Sequence, residues 1–211
     1  MKNTSLVLAA LISLGLLSCS KEETQSEGGY QIRIGESLAK KGSAIQVNSA
    51  IAYLEEVELE REFENDSNEV EIDIEGRFTV DLLTGNSNPA IPSAKIEPGT
   101  YHELELEFGD DDRLAFEIEG VYTDTAGNAI NFRLSMIQEL EFKIEDEDNG
   151  IVIPADYFVT LNVNFPVSTA LASLDWSSAS INANNSIEIN QQSNPGLLQA
   201  FLNALNLSVD D

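Results

Sequence analysis

Alternation of apolar and polar residues dominates the chain from about residue 30 to residue 165. In the first long segment the apolar residues take odd positions and glutamates take even ones: Ile51, Tyr53, Val57, Leu59 and Phe63 against Glu56, Glu58, Glu60 and Glu62. Because a period of two puts successive side chains on opposite faces of a strand, this predicts strands with one buried and one solvated face. Glu55 falls on the apolar parity and predicts a bulge or a strand end there.

Turn residues separate these alternating segments at intervals of roughly ten residues. The segment 65–68 is Asn-Asp-Ser-Asn, Gly76 follows a second alternation, and 124–128 is Asp-Thr-Ala-Gly-Asn. Asn149-Gly150 is a strong hairpin signal and predicts that 140–144 pairs with 151–153. Many short strands joined by such turns are typical of an antiparallel β-sandwich.

The spacing of apolar residues becomes helical near the end of the chain. A short helix is predicted near 166–176, with Pro166 as an early helical residue. A second helix is predicted after Ser193-Asn194-Pro195, with one apolar face made of Leu197, Leu198, Phe201, Leu202 and Leu205. The predicted fold is therefore mostly β, an antiparallel sandwich with a short helix near 166–176 and a C-terminal helix.

Charge narrows the classes of partner. The 211 residues contain 37 Asp and Glu against 11 Lys and Arg, a net charge of −26. Such a chain should repel nucleic acid and anionic lipid surfaces, because both are bound by clustered cations. The acids alternate with Val, Ile, Leu and Phe, and 42% of residues are hydrophobic, so composition favours a folded domain over a disordered one.

The first residues have the layout of a secretory signal peptide. Lys2 precedes an apolar run from Leu6 to Leu17, which is too short to span a bilayer as a helix. The run ends in Leu16-Leu17-Ser18-Cys19, and Cys19 is the only cysteine of the chain. This ending resembles the lipobox of bacterial lipoproteins, which implies cleavage after residue 18 and a membrane anchor through lipid (palmitate) on Cys19. An ordinary signal peptide with an incidental cysteine, or a buried core cysteine, is the alternative.

The residues that follow bear on localisation. Lys21, Glu22 and Glu23 resemble the surface-export signal of lipoproteins from the Bacteroidetes group, which implies the outer face of the outer membrane; a simple polar linker is the alternative. The predicted organisation is a lipoprotein signal peptide over 1–18, the lipidated Cys19 with a flexible linker over 19–29, a β-sandwich domain over 30–190 and a C-terminal helical segment over 191–211.

Framework motifs between residues 43 and 165 carry a second resemblance. Val80-Asp81-Leu82-Leu83 and Pro98-Gly99-Thr100-Tyr101 are its most specific pieces. They are similar to those of bacterial lipoprotein domains of unknown function with a transthyretin-like (prealbumin-like) sandwich. The resemblance implies a fold and export, and it transfers no catalytic residue.

Two acidic loops are candidate sites for weak calcium, since hard cations prefer oxygen ligands. The first holds Asp110, Asp111 and Asp112, and the second holds Asp146 and Asp148 before Asn149-Gly150. Carboxylates are also common in turns for structural reasons, which is the alternative in both loops. No other cofactor is predicted, and zinc bound by His and Cys is excluded because the chain has a single His.

Three further residues are candidates for a specific role. Thr125, in Asp124-Thr125-Ala126, resembles the O-glycosylation motif of exported Bacteroidetes proteins, and the alternative is a plain hairpin turn. His102 lies on the apolar parity of a strand, which favours a framework role over catalysis. Trp176 follows a helical apolar pattern, so we expect core packing rather than a sugar-stacking platform.

The sequence predicts a non-enzymatic surface lipoprotein that acts as a binding or structural module through an unidentified protein or glycan ligand. A carbohydrate-binding accessory lipoprotein of a nutrient-uptake system is the alternative, and exposed aromatic side chains on one sheet would favour it. A cell-envelope hydrolase is a third hypothesis. It would require a buried carboxylate pair in a cleft, and no motif selects such a pair.

Overall fold

Two β-sheets and two C-terminal helices enclose one hydrophobic core. The computed structural model describes residues 27–35, 44–61, 70–110, 112–145, 150–205 and 208–209. A nine-stranded sheet and a three-stranded sheet form the layers, and a two-stranded ribbon lies beside them. The prediction of a mostly β sandwich with a late short helix and a C-terminal helix is confirmed. Among the described residues, neither helix has the length and apolar character needed to cross a bilayer.

The elements follow one another in this order: β1 (Gly28–Gly35), β2 (Ile45–Arg61), β3 (Val70–Asp81), β4 (Asn86–Asn88), β5 (Ala94–Ile96), β6 (Gly99–Tyr101), β7 (Glu103–Phe108), β8 (Leu114–Thr123), β9 (Ala129–Ile137), β10 (Leu140–Glu145), β11 (Ile151–Ile153), β12 (Phe158–Asn164), α1 (Val167–Ala172), a 3-10 turn (Trp176–Ser178), β13 (Ser186–Ile189), α2 (Pro195–Leu205) and β14 (Ser208–Val209).

The large sheet is organised around the long strand β2. Strand β3 pairs with one side of β2, while β8 and then β7 pair with successive parts of the other side. Strands β9 and β10 add to β8 and β7 in the same way, with β13 and β14 outside them. The register shifts between Leu54 and Glu56 toward both β3 and β7, which confirms the irregularity predicted at Glu55.

This bulge reverses which side chains of β2 face the core. Ala50, Ala52 and Leu54 are buried before it, whereas Val57 and Leu59 are buried after it. Ile51 and Tyr53 are therefore half-buried on the outer face, although the alternation grouped them with Val57 and Leu59. One extra residue exchanges the faces of a strand because the side-chain period is two.

The small sheet contains a departure from antiparallel pairing. Strand β1 lies between β12 and β5, and it runs parallel to β12 over Gly29–Gly35. A second parallel pair joins β13 to β9 at the edge of the large sheet. Parallel neighbours need a long connection, and here each pair is joined by a segment that carries other elements.

The core lies between the sheets and under the helices. The rings of Phe108, Phe116, Phe142 and Phe165 form a cluster, with the centroids of Phe108 and Phe165 5.4 Å apart in an edge-to-face arrangement. Helix α2 buries the five residues predicted from its spacing, Leu197, Leu198, Phe201, Leu202 and Leu205. Trp176 is 7% exposed, and its Nε1 donates to the Leu171 carbonyl at 2.7 Å, so the expected core role is confirmed.

Two local predictions were wrong. Strand β3 does not end at Gly76: it runs through to Asp81, and the ring of Phe78 covers the glycine, so a Cβ there would lie 2.4 Å from a ring atom. Strand β11 does not form a hairpin with β10 but pairs with β6. Strand β10 pairs along its length with β7 and only at Leu140 and Glu141 with β14, while β11 pairs with the short strand that precedes β7, where Ile153 is buried in the core.

Candidate functional site

Carboxylates cover the outer surface of four neighbouring strands of the large sheet, which we call the acidic face. Three outward residues on each strand stand side by side in three rows, and eleven of the twelve are acidic. The rows are Glu75, Glu56, Glu107 and Glu141; Asp73, Glu58, Glu105 and Lys143; and Glu71, Glu60, Glu103 and Glu145. Like charges directly opposite one another destabilise a sheet, so the rest of the fold must offset the repulsion between these carboxylates.

Cationic side chains offset part of this repulsion. Lys143, the exception in the middle row, lies 2.5 Å from Glu103 and 3.0 Å from Glu145, and the hydrogen bond that it donates to Glu103 raises its pKa above the usual range. At the bulge, Arg113 lies 2.7 Å from both Glu55 and Asp110. These contacts lie toward the β10 edge and the bulge end of the acidic face, and at its centre Glu58 forms no ion pair with a described cation.

Glu58 occupies that centre. Desolvation is the main cause that raises its pKa from 4.5 to about 7, and the charges of Glu71, Glu105 and Asp73 add to it. Carboxylate oxygens of Glu58, Glu71 and Asp73 lie within 4.8 Å of one another, close enough for a hard cation to contact all three. Sequence reasoning missed this group because the three residues meet only through the register of β2 and β3.

The outer surface of the small sheet has the opposite chemistry, and we call it the amide face. Six side chains of β1 and β12 point outward there, and none is acidic: Gln31, Arg33, Phe158, Thr160, Asn162 and Asn164. Gln31 donates from Nε2 to Thr160 Oγ1 at 2.7 Å, and Arg33 stands opposite Asn162 in the register. On β5, Lys95 is paired with Glu27 at 2.7 Å. Neutral donors and acceptors thus replace the carboxylates of the other sheet.

Aromatic side chains mark the start of the amide face. Phe158 is 60% exposed and lies over Gly29, where a Cβ would come within 2.5 Å of its ring. Tyr157 is 68% exposed and precedes the strand. Phe158 thus puts one large exposed ring on the amide face, where it can pack against another molecule, while Tyr157 is exposed just before the strand.

A pocket of about 350 Å³ lies at the other end of the amide face. Arg33, Asn162 and Asn164 line it from the small sheet, and Thr84 and Gly85 line it from the turn after β3. This volume is within the range typical of small-molecule sites. No carboxylate, histidine or cysteine lines the pocket, so its described walls can bind a polar ligand but hold no acid–base pair.

The first acidic loop is built as a turn. Asp110 accepts from the backbone N–H of Asp112 at 2.9 Å and from Arg113 Nε at 2.7 Å. These two donors hold the pKa of Asp110 below its usual range. Both carboxylate oxygens are thus engaged within the turn, while Asp112 is exposed. Asp111 and the second loop, with Asp146 and Asp148, lie outside the described residues, so weak calcium binding stays a prediction.

Thr125 lies at the exposed tip of the β8–β9 hairpin. Asp124 shapes this tip: its side chain accepts from the backbone N–H groups of Ala126 and Asn128 and from Asn128 Nδ2, each at 2.8 Å. The bonds from Asn128 are the main cause that lowers the pKa of Asp124. Glycosylation of Thr125 stays a prediction.

The remaining candidate residues divide into one that the structure places and four that it does not. His102 is half-buried between β6 and β7, and its backbone N–H donates to the Glu60 carbonyl at 3.0 Å. The lipidation residue and the export signal, Cys19, Lys21, Glu22 and Glu23, lie outside the described residues.

Comparisons with protein-family models, with curated proteins and with solved structures found no match. Function is therefore inferred from the surfaces described above and from the N-terminal sequence.

Proposed function

We propose that this chain is a lipid-anchored cell-surface lipoprotein whose β-sandwich is a non-enzymatic binding or structural module. Leu16-Leu17-Ser18-Cys19 supports the anchor, and Lys21, Glu22 and Glu23 support export to the outer face of the outer membrane. Strand β1 begins at Gly28, so eight residues of the chain after Cys19 precede the sandwich. A leash of that length keeps the domain within a few tens of ångströms of the membrane.

The observation that carries the proposal of a binding module is the contrast between the two outer faces. One is covered by carboxylates, and the other has no acidic residue among its six outward side chains. In a chain with 37 acids, surface solubility alone does not require a face without them. A face of amides with exposed aromatics is suited to direct contact with a ligand, since such groups can hydrogen-bond and stack without a large desolvation cost.

The anchor is tested by Cys19→Ala in the native cell. The variant should lose labelling by an alkyne analogue of palmitate and should leave the membrane fraction or accumulate unprocessed. Ser20→Ala is the matched control because it changes the next residue outside the proposed lipobox. A Cys19→Ala protein that is still labelled and membrane-bound would refute the anchor.

Surface display is tested separately by replacing Lys21, Glu22 and Glu23 with Ala. Protease added to intact cells should digest the original protein and spare the variant, while both remain lipidated. Equal digestion of the two proteins would show that these three residues do not direct export, and it would leave the anchor intact.

The second candidate function is a carbohydrate-binding accessory lipoprotein of a nutrient-uptake system. Exposed Tyr157 and Phe158 favour it, because aromatic rings stack on the apolar faces of sugars. The neighbouring amides and hydroxyls of Gln31, Thr160 and Asn162 can exchange hydrogen bonds with sugar hydroxyl groups. The original protein should be retained on an insoluble polysaccharide, and the double variant Tyr157→Ala, Phe158→Ala should not be retained. This result would support the candidate function.

The hydrolase hypothesis lacks a supporting observation among the described residues. Glu58 has the raised pKa expected of a general acid, but it lies on a sheet face beside other glutamates rather than in a cleft. The pocket at the amide face has no described carboxylate in its walls.

A further inference from the structure

Arg33 is a cation without an ion pair to any described acid, which is unusual in this chain. Seven Lys and Arg lie among the described residues, and five of them form ion pairs: Arg61, Lys95, Arg113, Arg133 and Lys143. Arg77 and Arg33 are the two others, and Arg77 contributes to the electrostatic field at Asp110. Arg33 instead is exposed in the wall of the pocket.

Glycines keep the floor of this pocket open. At Gly35 a Cβ would lie 3.3 Å from both Gly85 Cα and the Leu82 carbonyl oxygen, so the end of β1 passes close to the turn after β3. Gly85 has a φ of +71°, a conformation that favours glycine. The two backbones therefore meet without side chains between them, beside the space that Arg33 and Asn164 line.

The groups around this space select a class of ligand. A guanidinium presents a planar fork of donors that matches the two oxygens of a carboxylate. Asn162, opposite Arg33, offers a neutral donor and acceptor suited to hydroxyl groups. From Phe158 to Asn164 the strand spans about 20 Å at 3.3 Å per residue, which is long enough for a short chain of sugars.

We propose that the amide face binds an oligosaccharide whose sugars carry carboxylate groups, with Phe158 stacking on one sugar and Arg33 in the pocket pairing with a carboxylate of another. This inference rests on the carbohydrate-binding candidate function and names its site and ligand class. The acidic face repels such a ligand at long range, but at physiological salt this field is screened beyond about 8 Å, and that face belongs to the other sheet.

The test is calorimetric titration of the soluble domain, residues 20–211, or of the detergent-purified full chain, with oligogalacturonate, oligoalginate and methyl-esterified oligogalacturonate. At least one acidic ligand should bind, and oligogalacturonate binding should exceed that of its ester about tenfold, which is about 1.4 kcal/mol and is the order of one charge-assisted hydrogen bond. Arg33→Gln should abolish this preference, whereas Arg33→Lys should retain part of it. Arg77→Gln is the matched control, since it removes the other described arginine without an ion pair, which lies on β3 of the large sheet.

The outcomes separate the inference from the function on which it rests. Equal binding of the acid and its ester, lost in Phe158→Ala but unchanged in Arg33→Gln, overturns the carboxylate inference and keeps carbohydrate binding. Absence of binding to every ligand in the full chain overturns both. Binding that persists unchanged in Arg33→Gln and in Phe158→Ala shows that the amide face is not the site. Thermal melting curves of each variant confirm that it is folded.

Discussion

The guanidinium of Arg61 lies directly over Gly99, so that a Cβ on this glycine would fall 1.9 Å from Arg61 Nη1. Arg61 is 9% exposed, donates from Nη1 to the Pro98 carbonyl at 3.1 Å and pairs with Glu97 at 3.3 Å. It also lies 5.4 Å from the centre of the Tyr101 ring. The arginine at the end of β2 thereby fixes the Pro98-Gly99 turn that leads into β6 and β7.

Gly99→Ala should therefore destabilise the domain. The new methyl group displaces a buried arginine and breaks its hydrogen bond to the Pro98 carbonyl, so we expect a loss of about 2 kcal/mol in the free energy of unfolding. Urea denaturation at constant pH measures it. Gly29→Ala is the control: its methyl group meets the ring of Phe158, which is 60% exposed and can turn into solvent. Equal losses in the two variants would contradict the role assigned to Arg61.

Stability should fall as the pH rises through the range in which Glu58 ionises. The pKa of Glu58 is about 7 in the folded protein and 4.5 without its surroundings. Between these values the folded state binds more protons than the unfolded state, so the free energy of unfolding decreases with pH. Glu58 contributes most to stability below pH 4.5, and this contribution is lost by about pH 7. Melting temperatures measured from pH 4.5 to pH 8 check it.

Glu58→Gln isolates this residue from the rest of the acidic face. It removes a half-buried charge flanked by Glu105 and Asp73, so the melting temperature at pH 8 should rise by roughly a few degrees. The variant should also show a shallower dependence on pH. Glu139→Gln, outside the acidic face, is the matched control for loss of one charge. A Glu58→Gln protein that melts at the original temperature at pH 8 would refute the raised pKa.

Added salt should stabilise the domain. Eleven carboxylates with one lysine among them repel one another, and their repulsion is screened as the Debye length falls from about 30 Å at 0.01 M to about 3 Å at 1 M salt. Thermal melts in NaCl should show a rising melting temperature, with a smaller rise in Glu58→Gln. A melting temperature that falls with salt would mean that the ion pairs at the border outweigh the repulsion.

Calcium at the same ionic strength separates coordination from screening. If calcium raises the melting temperature more than NaCl does, and Asp110→Asn with Asp112→Asn removes this extra rise, the weak site lies in the turn predicted from the sequence. A rise that Glu71→Gln removes would assign it to the carboxylates near Glu58 instead.

The alternation of residues predicted individual strands well because it reflects local geometry. It placed Val57 and Leu59 in the core and located the bulge at Glu55, since one acid on the apolar parity is visible in the sequence. It could not predict the partner of β11, because β6 lies far earlier in the chain and the two strands meet only in the folded protein. The acidic residues were likewise recognised strand by strand, whereas their assembly into one face follows from the register.

The amide face was beyond sequence reasoning for a related reason. Gln31 and Thr160 are 129 positions apart, and their hydrogen bond depends on the parallel pairing of β1 with β12. Adjacent strands in sequence predict antiparallel neighbours, so nothing local indicated that the first strand would join the twelfth. Exposure of Phe158 depends on Gly29 beneath it, a residue that the sequence analysis assigned to the linker.

Thr125 should carry a glycan in the native envelope. Asp124 holds the hairpin tip through three hydrogen bonds, and Thr125 is exposed at that tip, where a modifying enzyme can reach its hydroxyl. The intact mass of the protein purified from its own cells should exceed that of Thr125→Ala by far more than the Thr-to-Ala difference, because any lipid on Cys19 is common to both proteins. Thr123→Ala changes a neighbouring exposed threonine outside the Asp-Thr-Ala sequence and should leave the excess in place. Masses of the original protein and Thr125→Ala that differ only by the Thr-to-Ala substitution would reduce this segment to a structural turn.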